Sequence, residues 1–216
     1  MGGLDMKYII EINILFNYYQ VSDNDIKYNL EQEIDNVLND INRRTPVKLR
    51  NNTPQILVSI GIKDLPMHEN PSHIRKNILT EKEARKINLV ITQRDHYHGL
   101  GKTIYIEVIN SLDIPRVIFE NKNKSDYLIL TSIKDKNNKN ILVPIKIEDK
   151  TYVNNVEIDI TRVKSVYGYD RSKPDLNTYF KKNINNGNFT KIYEQKKEPS
   201  TCISTAVSSL SEDNIS

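Results

Sequence analysis

Tyr127-Leu128-Ile129-Leu130-Thr131-Ser132-Ile133-Lys134, then Lys136-Asn137-Asn138-Lys139, then Ile141-Leu142-Val143-Pro144-Ile145-Lys146-Ile147 decides the fold. The outer segments are short, apolar and partly β-branched, as strands are. Asparagine tolerates positive φ, so the middle segment predicts a hairpin turn. Pro144 cannot donate to a ladder and predicts an edge or a bulge. Working outward, Val117-Ile118-Phe119 predicts a short strand before the hairpin. Val156 to Tyr167 predicts a third long strand, alternating at Val156, Ile158 and Ile160. Asp175 to Ile184 predicts a helix, and Phe189 to Tyr193 a last strand.

Upstream the period changes. Ile26, Leu30, Ile34, Val37, Leu38 and Ile41 recur at three- and four-residue spacing and predict a helix over Asp25 to Arg43. Met6 to Tyr19 reads as a helix before it. Gln55 to Ile60 predicts a strand, with Leu65 to His68 pairing back. Pro71 opens a helix to Leu79. Thr80-Glu81-Lys82-Glu83 is a capping box for the next, and Thr103 to Leu112 predicts another. Helices first and strands last make an α+β fold: N-terminal helices followed by an antiparallel sheet of about four strands. The expected divisions are a helical arm over 1–50, an α+β domain over 51–197 and a disordered Ser/Thr-rich tail over 198–216.

Composition narrows the function. Charged residues are 27% of the 216, and no apolar run approaches a membrane span of ~20 residues. No basic-then-apolar leader is visible at the start, and the one cysteine, Cys202, forms no disulfide framework or zinc motif. A cytoplasmic, reducing setting and no membrane partner are expected. The net charge is +3, but residues 99–198 hold 18 basic and 13 acidic side chains, whereas 1–50 hold 6 and 8. A polyanion would meet the C-terminal half.

Two segments carry candidate chemistry. Arg162-Val163-Lys164-Ser165-Val166-Tyr167-Gly168-Tyr169 places cations, a hydroxyl and phenols on one strand. Alternation sends Ser165 and Tyr167 to one face beside Val163, and Arg162, Lys164 and Val166 to the other. Arg94-Asp95-His96-Tyr97-His98-Gly99-Leu100 supplies two of four histidines. Either imidazole suits proton transfer near neutral pH. A metal needs a third ligand that the neighbourhood does not offer, so neither metal nor cofactor is expected. Gly-x-Ser-x-Gly is absent, which disfavours a Ser-His-Asp hydrolase. Phosphate loops are absent, which removes kinases, GTPases and dinucleotide enzymes. A hydroxyl beside Lys164 and Arg162 suits binding a phosphate oxygen, and Tyr167 suits a hydrogen bond or stacking on a base.

Thr53-Pro54, Leu57, Gly61 and Leu65-Pro66, then His98-Gly99-Leu100 and a helix, Pro115 before a strand, the hairpin Tyr127–Ile147 and Ser165-Val166-Tyr167-Gly168 occur in an order that resembles a known family. It is the phage MuF C-terminal domain, placed among the barnase, EndoU, colicin and RelE-like nucleases. The resemblance spans about Thr53 to Tyr193. It implies a toxin of a phage or mobile element that cuts RNA, tRNA or rRNA, in a bacterial host, with an immunity protein as its partner. Carried over by position, His98, Ser165 and Tyr167 are the implied catalytic residues. From its own chemistry His96 joins them as a candidate, and the cations Arg162, Lys164 and Lys134 are the expected substrate-binding residues. The alternative is a non-enzymatic phage module that docks on itself or on a phage head protein through residues 6–43.

Overall fold

The computed structural model describes residues 30–123, 126–170 and 174–195. The predicted helix over Met6 to Tyr19 and the Ser/Thr-rich tail lie outside them. Helices α1 (30–39), α2 (Gln55–Ser59), α3 (Pro71–Ile78), α4 (Glu81–Lys86) and α5 (Lys102–Asn110) precede most of the sheet. Strands β1 (Val47–Arg50) and β2 (Met67–Glu69) fall among them. After α5 come β3 (Val117–Asn121), β4 (Asp126–Lys134), β5 (Asn140–Val153), β6 (Val156–Val163), β7 (Tyr167–Gly168), α6 (Leu176–Asn185) and β8 (Phe189–Glu194).

These strands form one sheet of eight in the order β1-β2-β6-β5-β4-β3-β8, with β7 on β5 beyond the end of β6. The expectation of about four antiparallel strands is corrected on two counts. The sheet is twice that size, and β2 runs parallel to β6 through Met67↔Thr161 and His68↔Arg162. Three of the strands, β1, β2 and β7, are segments of two to four residues, too short for an alternation to register. The predicted strand over Gln55 to Ile60 is helix α2, with Pro54 at its N-cap and only Leu57 buried. A five-residue apolar run has no period to distinguish the two.

The hairpin forms as read. Asn138 takes φ 58°, and Asp135 closes the turn by accepting the Lys139 N–H at 2.8 Å. Over residues 128–130 of β4 and 141–143 of β5 both faces are buried. Ile129, Ile141, Val143 and Ile145 point into the larger core, under α1, α3 and α5. Leu128, Leu130 and Leu142 point into a smaller one, where α6 lays Phe180 on Phe119 with ring centroids 4.1 Å apart. Residues 30–50 share the larger core: Leu30, Ile34 and Val37 pack there from α1, and Val47 and Leu49 from β1.

Candidate active site

The site is built at the C-terminus of α3. A helix ends with four carbonyls that lack intrahelical donors. Here a distant segment supplies donors: His98 N–H donates to Lys76 O at 2.8 Å, Leu100 to Asn77 O at 3.0 Å and Gly101 to Ile78 O at 2.9 Å. Gly99 N–H donates to Leu79 O at 3.0 Å. Gly99 has φ +62°, and a Cβ there would lie 2.7 Å from Thr80 Cγ2, so only glycine lets the strap lie this close. Upstream, Asp95 pairs with Lys76 Nζ at 2.6 Å and accepts from Thr92. His98 is thereby fixed against α3.

The partner side comes from a break between β6 and β7. Lys164 N–H donates to Pro144 O, and Tyr167 pairs with Leu142. The three steps from Lys164 to Tyr167 face two from Pro144 to Leu142, so the chain bulges at Ser165 and Val166. The N–H and C=O of a strand residue project to the same neighbour, so Pro144 leaves this chain one donor short. Of the two readings of Pro144, the bulge is the one that forms; β5 is interior. The bulge also overturns the expected faces. Val163 and Val166 both enter the larger core, Tyr167 packs beside the smaller one, and Ser165 turns toward α3.

His98, Ser165 and Tyr167 therefore meet. His98 Nε2 lies 3.3 Å from Ser165 Oγ, and the His98 and Tyr167 rings are 5.5 Å apart at 33°. Ser165 Oγ donates to Asn77 Oδ1 at 3.1 Å, and Asn77 Nδ2 donates to Glu69 Oε1 at 2.8 Å. Tyr105 O–H donates to Glu69 Oε2 from α5. Burial, then the His96 charge, pushes His98 down to about 4, so its imidazole is neutral at pH 7. Burial, helped by Tyr179 and Tyr169, pushes the Tyr167 phenol up to about 12. Burial pushes Glu69 up to about 8 against the hydrogen bonds from Tyr105 and Asn77.

The other expected residues scatter. His96 is exposed on the loop before His98. Arg162 is committed to Asp149, to Asn70 Oδ1 at 3.1 Å and to Lys150 O at 2.7 Å. Lys164 pairs with Asp126 at 2.8 Å. Lys134 is exposed at the base of the β4–β5 hairpin, whose Asp135 and Lys139 side chains lie against Gly168 of β7. Lys134 forms no ion pair among the described residues. Sequence reasoning missed Glu69, Asn77 and Tyr105, and also His73, which lies one turn before Asn77 and meets the Lys164 backbone. Their one sequence signal is a carboxylate ending the short strand Met67-His68-Glu69 with no cation beside it. Among the described residues no group of three or more His, Cys, Asp or Glu side chains is placed to hold a metal ion, and no helix is long and apolar enough to cross a membrane.

Residues 89–200, just over half of the chain, match the model of the phage MuF-C-terminal domain. The chain belongs to this family. The matched span of this MuF-C-terminal domain contains His96, His98, Ser165 and Tyr167, whereas Glu69 and Asn77 precede it. No curated protein and no solved structure is significantly similar to the chain.

Proposed function

We propose that this phage MuF C-terminal domain protein is a ribonuclease that works without a metal, of the nuclease group its family resembles. The observation that carries the reading is the meeting of His98, Ser165 and Tyr167 at the break between β6 and β7. His98 is neutral at pH 7 and acts as general base, taking the proton of a ribose 2′-OH. The 2′-oxygen bonds to the adjacent phosphorus, and the bond from phosphorus to the 5′-oxygen breaks. His96, close enough for its charge to bear on His98, returns a proton to that oxygen. Tyr167 is the hydrogen-bond donor to the phosphate, and Ser165 holds the His98 imidazole. Lys134 at the hairpin draws in the RNA backbone. The products are a 2′,3′-cyclic phosphate and a 5′-hydroxyl.

The test is incubation of the full chain with total tRNA and rRNA in EDTA, read on a denaturing gel beside His98→Ala. Discrete fragments ending in a cyclic phosphate, lost in the variant, are expected. Intact RNA with folded wild-type protein sinks the reading and leaves the non-enzymatic docking module.

A further inference from the structure

Five side chains from five elements form one unbroken file of hydrogen bonds: Tyr105, Glu69, Asn77, Ser165 and His98. Its inner end is sealed, since Tyr105 and Glu69 are both 0% exposed. Each interior member has few protons to offer. Tyr105 has one, and its only acceptor in the file is Glu69. Ser165 has one, for either Asn77 or His98. The Asn77 amide offers N–H on one side and O on the other.

Counting protons leaves two complete arrangements. With Glu69 ionised, Asn77 donates to it, Ser165 donates to Asn77 Oδ1, and the Ser165 oxygen accepts from His98 Nε2–H. The Asn77–Glu69 and Ser165–Asn77 bonds of the structure run in this direction, which leaves the lone pair on His98 Nδ1. With Glu69 protonated on Oε1, the carboxyl donates to Asn77 Oδ1 and the amide turns over. Its N–H then donates to Ser165, and the Ser165 hydroxyl donates to His98 Nε2. The proton of His98 now sits on Nδ1. Any mixed arrangement sets two donors or two acceptors face to face, or leaves the Ser165 proton with no acceptor in the file, each mismatch costing about 1–3 kcal/mol. The file therefore reverses as a unit.

We infer that Glu69 is a positioning residue whose protonation, relayed through Asn77 and Ser165, sets which ring nitrogen of His98 carries its proton. The surroundings permit this. Asn77 from α3 and Tyr105 from α5 are the groups that bear on Glu69, with no charged side chain among the described residues. His98 faces Ser165, Tyr167 and His96. Burial brings Glu69 to about 8 and His98 to about 4, so the carboxyl changes state while the imidazole stays neutral. In the ribonuclease reading, on which the catalytic consequence rests, the nitrogen available as base changes with it.

The test is made without RNA. The full chain, labelled with ¹⁵N at histidine, is followed through its imidazole nitrogen signals from pH 6 to pH 10. The His98 signals are assigned by their loss in His98→Ala. In the wild type, Nδ1 is expected to carry the proton at pH 6.5 and Nε2 at pH 9.5, with a midpoint near 8. Glu69→Gln places a permanent donor toward Asn77 Oδ1, so Nδ1–H should persist at every pH. Ser165→Ala cuts the file, and the transition should vanish. A wild-type His98 that keeps one tautomer throughout overturns the inference, as does a transition that survives in Glu69→Gln. If Glu69→Gln does not fold, the wild type and Ser165→Ala decide. Failure to cleave RNA leaves this result untouched, and a fixed tautomer leaves RNA cleavage open.

Discussion

Asn77 and Ser165 are 88 residues apart in sequence, and their side chains meet at 3.1 Å. Asn77 belongs to the helix whose C-terminus holds His98, and Ser165 to the bulge that faces it. Asn77→Ala leaves the Ser165 hydroxyl and the buried Glu69 each short of a partner. A loss of about 1–3 kcal/mol of stability is expected, from the cost of an unsatisfied buried group. Urea unfolding at fixed pH measures it, and an unchanged midpoint would remove Asn77 from its linking role.

Gly99 and Gly101 separate strain from crowding. Both have positive φ, but only Gly99 has Thr80 against the place of a Cβ. Either change to alanine should cost about 1 kcal/mol or more through its backbone. Gly99→Ala should cost more, because Thr80 must also move, and it should loosen His98. Thermal unfolding of the two variants side by side gives the comparison; equal losses would mean that the strap is not tightly seated.

Glu69 and His98 act in opposite directions on stability as pH changes. The Glu69 carboxyl ionises near 4.5 when unfolded and near 8 when folded, so the folded state binds the extra proton between those values. Stability should fall as pH rises through that window, at up to about 1.4 kcal/mol per pH unit. His98 is pushed below its ordinary 6.5 to about 4, so the unfolded state binds the extra proton between those values. Its contribution is lost as pH falls from 6.5 toward 4. Glu69→Gln should therefore gain on the wild type from pH 5 to pH 8 in urea midpoints. A constant difference across that range would contradict the buried carboxyl.

Lys134 and Arg162 should separate RNA contact from folding. Lys134 is exposed without an ion pair among the described residues, so Lys134→Ala should weaken RNA binding at unchanged stability. The salt dependence of binding should drop by about one phosphate contact. Arg162→Ala removes the guanidinium from Asn70 Oδ1 and the Lys150 carbonyl and leaves Asp149 with Lys146 as its side-chain partner, at about 1–3 kcal/mol. Hydrogen bonds from Arg162 and Lys146 hold the Asp149 carboxyl, against its burial, down at about 2. Filter binding across salt concentrations, with unfolding beside it, distinguishes the two roles.

The hairpin and the helices α3, α4 and α6 were legible because each carries its own punctuation. Asn138 turns the hairpin, Pro71 opens α3, Thr80 and Glu83 box α4, and Asp175 caps α6 through Asn177 and Thr178. Strands β1 and β2 were not read with their sheet partners, because the pairings that define them lie far along the chain. His98, Ser165 and Tyr167 could be named as residue types suited to the chemistry. Their meeting could not, since it depends on a one-residue bulge and on hydrogen bonds to the end of α3. Glu69 was illegible for a different reason: what marks it is the absence of a neighbouring charge in space.

The strap over the end of α3 has one more consequence. Residues 80–97 leave α3 and return to it, and the chain is fastened at the two feet of this excursion by Leu79 O and Lys76 O. Val90 stands 86% exposed between them. Insertions, deletions or a nick there change the length of an errand without changing where it starts and finishes. The register of the imidazole thus belongs to the helix it returns to, and it is insulated from sequence drift at the exposed tip around Val90.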